Sequence, residues 1–172
     1  MVIWLIGLSG AGKTTLAKEV MAQVKSKINN VVLIDGDAVR AAFGNDLGHT
    51  IEDRKKNADR ICNLCKFLDN QGIHVVCAIL SIFPESRDWN RRELNAYFEV
   101  FVDTPFERLV EIDYKGLYKR ALNGELTDVA GVDLEFVPPS SPDLTISNCG
   151  SKDTFLSHAQ TLAQIILDAG YQ

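Results

Sequence analysis

The first fifteen residues, MVIWLIGLSGAGKTT, restrict the fold more than any other part of the chain. The unbroken apolar run Val2–Ile6 reads as a strand buried on both faces, and three glycines within six positions follow it directly. The run is too short for the hydrophobic part of a signal peptide, and no cationic segment precedes it. A helical pattern with Leu16, Val20 and Val24 on one face then begins at Lys13. The unit is strand, glycine loop, helix, in the form G-x-x-x-x-G-K-T at Gly7, Gly12, Lys13 and Thr14. Glycines let successive backbone N–H groups converge on phosphate oxygens, and the helix N-terminus adds a favourable dipole. Lys13 can then reach the outer phosphates and the Thr14 hydroxyl can ligate Mg²⁺. Gly7, Ser9, Gly10, Ala11, Gly12, Lys13, Thr14 and Thr15 are therefore the expected contacts to a nucleoside triphosphate with Mg²⁺.

The remainder of the chain repeats the alternation. Strands are expected in NNVVLIDGD, HVVCAIL, YFEVFVD and LTIS, separated by helical patterns in EDRKKNADRICNLCKFLDNQG and PESRDWNRREL, with a last helix over about 152–169. The stretch after Asp103 reads as partly helical and then irregular. Continuous apolar strands between amphipathic helices predict an α/β fold of the P-loop type, three layers deep, with a parallel sheet of about five strands. At 172 residues, with no repeat and no linker, the chain is read as a single domain over 1–172.

Composition narrows the partners. The net charge of -5 argues against non-specific nucleic-acid binding, while leaving room for a local basic pocket. No apolar run approaches a membrane span. The four cysteines, Cys62, Cys65, Cys77 and Cys149, read as reduced and buried, and the Cys62/Cys65 spacing lacks a second metal-ligand pair. The expectation is a cytoplasmic protein acting on a small molecule.

The second strand ends at Asp35, within LIDGDAVR, at the sheet edge where open parallel sheets place ligands. Of Asp35 and Asp37, one can face Mg²⁺ and the other can orient an acceptor hydroxyl; alternatively both cap a turn around Gly36. Arg40 can meet an anionic substrate in the same crevice. Arg54 and Asn57, one turn apart in DRKKN, offer a second anion-binding face, with surface ion pairing as the alternative.

Taken together, these segments resemble the adenylyl-sulfate kinases, which transfer the ATP γ-phosphate to the 3′-hydroxyl of adenosine 5′-phosphosulfate. The likeness runs through GLSGAGKTTLA (7–17), DGDAVR (35–40), DLG followed by EDR and Asn57, EVFVDTP (99–105) and KGLYKRALNGE (115–125). It implies that Asp37, Arg40, Arg54 and Asn57 hold the acceptor, with Asp37 acting on its hydroxyl and Asp35 and Thr14 serving the metal. Ser81 matches a serine associated with a phosphoserine intermediate, which an in-line transfer does not require. Lys115 falls in a segment, about 113–138, that resembles a lid closing over the phosphates. A homodimer is also implied.

The chain departs from the family where the acceptor base is expected. His49 and Val129 stand at positions where the family has aromatic rings that sandwich adenine. The family's S-P-Y/H-R becomes Ser81, Ile82, Phe83, Pro84, and its R-D-P-K-G becomes Ile112, Asp113, Tyr114, Lys115, Gly116. Three readings follow: an adenylyl-sulfate kinase with a tolerant pocket, a sister kinase acting on another nucleotide such as cytidine diphosphoramidate, and a catalytically weak nucleotide-binding scaffold.

Overall fold

The computed structural model describes residues 1–113 and 115–170. Five strands form one sheet: β1 Val2–Ile6, β2 Val31–Asp35, β3 His74–Ile79, β4 Tyr97–Asp103 and β5 Leu144–Ser147, in the order β2-β3-β1-β4-β5. Every pairing is parallel, and β1 lies at the centre, with Val2 opposite Val75 on one side and Tyr97 on the other. Helices α1 Lys13–Lys25, α2 Gly36–Ala42, α3 Ile51–Asp69, α4 Pro84–Glu93, α5 Phe106–Glu111, α6 Leu117–Leu122 and α7 Lys152–Ala169 complete the described elements.

Alternation along β1 divides the core in two. Ile3 and Leu5 face α1 and α7, where Leu16, Val20, Val24, Phe155, Leu162 and Ile166 close over them. Val2, Trp4 and Ile6 face the other way, onto Ile61, Cys62 and Cys65 of α3. All five β1 residues are fully buried, each large apolar side chain contributing roughly 1.5–3 kcal/mol. The expected fold is therefore found, helix α7 with the anticipated bounds.

Two expectations need correction. Residues 36–42, read at most as a turn around Gly36, form the short helix α2, because Asp35 caps it by accepting the amides of Asp37 and Ala38. Cys149 is exposed, whereas Cys62, Cys65 and Cys77 are buried as expected. It follows the edge strand β5, of which only Ile146 is buried, so the turn carrying it lies outside the core. Burial pushes the Cys62 thiol up to about 12, so that thiol stays protonated. Among the described residues no helix is long and apolar enough to cross a membrane.

Candidate active site

The site forms at the carboxyl edge of the sheet, where β1, β2 and β3 all end. The loop after β1 is shaped by close approach. A Cβ on Gly7 would sit 2.6 Å from the Val102 carbonyl oxygen. At Gly12, where φ is 97°, it would meet the Phe155 ring at 2.9 Å. Gly12 caps α1 without a side-chain bond, so the first-turn N–H groups open toward the loop. From behind, Thr104 Oγ1 and Asn148 Nδ2 both donate to the Ala11 carbonyl, at 3.2 and 3.0 Å. The Tyr118 hydroxyl donates to the Ser9 carbonyl at 2.7 Å. The sequence reading missed Asn148, Thr104 and Tyr118. Only Thr104 and Tyr118 lay within stretches already singled out, VDTP and KGLYK.

A cavity of about 580 Å³ runs outward from this loop. Ser9, Gly10, Gly12, Lys13, Thr14 and Thr15 line one end, and Arg40, His49, Arg54 and Val129 the other, with Asp35, Asp37 and Lys115 between them. Gly7 and Ala11 shape the loop from within rather than line the cavity, Ala11 being 1 % exposed. Asn57 and Ser81 line an adjoining cavity of about 110 Å³ that shares Asp37, Arg40, His49 and Arg54. Ser81 is buried in a left-handed conformation (φ 55°). Its hydroxyl accepts from the Trp4 indole at 3.1 Å and its carbonyl from Arg87 at 2.8 Å.

The two aspartates are used differently. Asp35 accepts the Thr14 hydroxyl at 2.7 Å through Oδ2, while Oδ1 caps α2. The capping reading therefore holds for Asp35. Asp37 projects into the cavity, its carboxylate largely exposed and 3.5 Å from the Lys115 ammonium. Lys13 Nζ donates to the Leu8 carbonyl at 2.8 Å. Desolvation lowers its pKa to about 8, against the opposing pull of Asp35 and Asp37.

At the far end, Arg40 donates to the carbonyls of Leu47 and Gly48, at 3.3 and 2.7 Å. Arg54 donates from Nε to the His49 carbonyl at 2.8 Å and from Nη2 to the Asp128 carbonyl at 2.7 Å. Burial, with Arg40 and Arg54 adjacent, lowers the His49 pKa. Arg60 grips Asp46 with two bonds, at 3.0 and 2.7 Å, and stacks on Phe43, anchoring the loop that carries His49. Within the segment read as a lid, Tyr118, Ala121 and Val129 belong to the main core. Tyr114, within that stretch, lies outside the described residues.

Among the described residues no group of three or more His, Cys, Asp or Glu side chains gathers around a common point. The adjacent Thr14 hydroxyl and Asp35 carboxylate nevertheless fit Mg²⁺, which takes few protein ligands and completes its shell with water and phosphate.

A parallel sheet with a glycine loop, lysine and threonine at its central strand defines a P-loop nucleotide-binding protein. The family model for adenylylsulphate kinase matches residues 1–147, and the chain belongs to that family. It is 39% identical over 150 residues to a cytidine diphosphoramidate kinase of Campylobacter jejuni, covering 86% of this chain and 85% of that one. It is 37% identical over 169 residues to an adenylyl-sulfate kinase of Halothermothrix orenii, covering 98% and 90%. The structure of the Mycobacterium tuberculosis APS kinase in complex with AMPPNP and APS superposes with a TM-score of 0.85 at 32% identity, covering 97% and 96%. The protein is a nucleotide kinase of an ATP-binding family.

Proposed function

We propose that the enzyme transfers the γ-phosphate of ATP to the 3′-hydroxyl of adenosine 5′-phosphosulfate. The observation that carries this reading is one cavity lined both by the phosphate loop and by Arg40 and Arg54, with Asp37 between them. The triphosphate lies along the loop N–H groups, with Lys13 balancing charge on the γ-phosphoryl group. Arg40 and Arg54 hold the anionic end of the acceptor, assisted by Asn57. Asp37 orients the acceptor hydroxyl and takes its proton as the new P–O bond forms and ADP leaves. Thr14 and Asp35 would hold Mg²⁺, which neutralises phosphate charge when bound. Lys115 closes the cavity from above.

Lys13 gives the reading a pH signature. Phosphate oxygens beside Nζ favour its charged form, so ATP binding raises a pKa that starts at about 8. Below about pH 7 the group is protonated with or without ligand and contributes no pH dependence. Above pH 8 the free protein must take up a proton to hold ATP, and affinity falls by at most about tenfold per pH unit. Calorimetry near pH 8.5, in buffers of different ionisation enthalpy, is expected to register uptake of up to about three-quarters of a proton. Zero uptake would remove Lys13 from the triphosphate site.

A second acceptor, cytidine diphosphoramidate, is favoured by one feature. The walls at the far end are His49 and Val129, an imidazole and a small aliphatic group, where an adenine gains less stacking than between two phenyl rings. The Campylobacter jejuni relative supports the same alternative. Coupled ATP turnover with each acceptor decides between them. On the first reading, kcat/KM is higher for adenosine 5′-phosphosulfate, and a His49→Phe, Val129→Phe double substitution raises it by about one to two decades. A preference for cytidine diphosphoramidate establishes the second reading. Absence of turnover with either refutes both.

A further inference from the structure

One exposed carboxylate outside the cavity controls the backbone of its far wall. Asp133 accepts the Val129 amide through Oδ1 at 2.7 Å and the Asp128 amide through Oδ2 at 2.8 Å. These two bonds, the one from Val129 first, hold its carboxyl below the usual carboxylate range. Between them Asp128 sits at φ 61°, a left-handed conformation that residues with a Cβ seldom adopt. The Gly131 amide donates to the Leu134 carbonyl at 2.8 Å, closing a tight loop around Asp133. Gly131 itself lies against the phosphate loop, where a Cβ would be 3.3 Å from Leu8 Cδ1 and from the Phe106 ring. The segment is thus pinned on its phosphate-loop side, and Asp133 fixes the direction in which its other side points.

That direction has a consequence across the cavity. The Asp128 carbonyl accepts from Arg54 Nη2, and Arg54 Nε donates to the His49 carbonyl. A continuous chain of bonds therefore runs from Asp133 through Asp128 and Arg54 to His49. It joins the two walls of the acceptor end, Val129 and His49, and it sets how the Arg54 fork is presented.

We infer that Asp133 is a positioning residue for the acceptor: by clamping Asp128 and Val129 it fixes the Arg54 guanidinium and the spacing of the Val129 and His49 walls, without touching substrate. This rests on the proposed placement of the acceptor between those walls. The ATP end is held independently, by Thr104, Asn148 and Tyr118 behind the phosphate loop.

The experiment compares wild type, Asp133→Ala, Asp128→Gly and the double substitution, using whichever acceptor the wild type turns over. Loss of the clamp is expected to raise the acceptor KM about tenfold, with kcat and the ATP KM changed little. Glycine takes the left-handed conformation freely, so Asp128→Gly in the Asp133→Ala background is expected to bring KM back toward its value in Asp128→Gly alone. Hydrogen exchange in the free proteins gives a second reading that needs no turnover. Asp133→Ala is expected to speed exchange at residues 47–50 as well as 126–134, since Arg54 loses one anchor, and the double substitution to slow it again. If exchange changes only at 126–134, or if the acceptor and ATP KM values rise together without rescue, Asp133 is a local staple and the inference is overturned. A wild type inert toward both acceptors refutes the proposed activity instead; exchange at 47–50 then decides the coupling alone.

Discussion

Lys13→Ala is expected to fold normally and to lose at least about 10²-fold in kcat. The loss follows from position: Nζ sits on the Leu8 carbonyl beside the first turn of α1, where outer phosphate oxygens would replace that carbonyl. A cation placed before the reaction begins stabilises charge that develops only as the phosphoryl group moves, so kcat falls more than ATP affinity. The fold is spared because Leu16, Val20 and Val24, on the opposite side of α1, make the packing. The unliganded variant should even gain stability at neutral pH. Lys13 titrates at about 8 in the folded protein against 10.5 as a free side chain, so folding disfavours its charged form. That cost is fully present below pH 8, at most about 3 kcal/mol, and disappears as pH rises toward 10.5. Single-turnover rates and thermal melts at pH 7 measure both effects. A variant with near-normal kcat, or one that melts far below wild type, contradicts the assignment.

Asp37→Asn is expected to reduce kcat by about 10²–10⁴-fold while the ATP dissociation constant stays within a few-fold of wild type. The contrast with Asp35 carries the argument. Both oxygens of Asp35 are committed, one to the Thr14 hydroxyl and one to the α2 amides, whereas Asp37 faces the cavity with Lys115 across from it. A carboxylate so placed can accept a proton; an amide of the same shape cannot. Rapid-quench measurement of phosphoryl transfer, set beside equilibrium binding of ATP, separates the two quantities. Should ATP binding collapse while transfer persists, Asp37 serves the metal and Asp35 becomes the candidate base.

The loop and the sheet were legible because their signals are local. Val2–Ile6, the glycine spacing and Lys13 lie within fifteen residues, and strand-to-helix alternation needs only hydropathy. Helix α2 escaped notice since its seven residues are too few for a periodic stripe and its cap, Asp35, also suits a metal ligand. Gly116, Gly124 and Gly131 suggested a hinged segment; that Tyr118 and Ala121 fall on a buried face of α6 is not advertised by a helix of only six residues. Thr104, Asn148 and Tyr118 reach the phosphate loop from 93, 137 and 109 residues away. No spacing rule reports such contacts. The same holds for the bond from Arg54 to the Asp128 carbonyl, which only the folded chain brings together.

The central place of β1 also governs when the protein can function during its own synthesis. The strand leaves the ribosome before the rest of its sheet, yet its neighbours are β3 and β4, so Val2 has no partner until Val75 emerges and lacks its second until Tyr97 does. Closing such long loops is slow, and in the interval five apolar residues have nothing to pair with. The segment that reads most plainly as a nucleotide site is thus the last to become one. Until β4 emerges it is a sticky nascent strand in need of shielding, and bound nucleotide can stabilise only a chain already complete through β4.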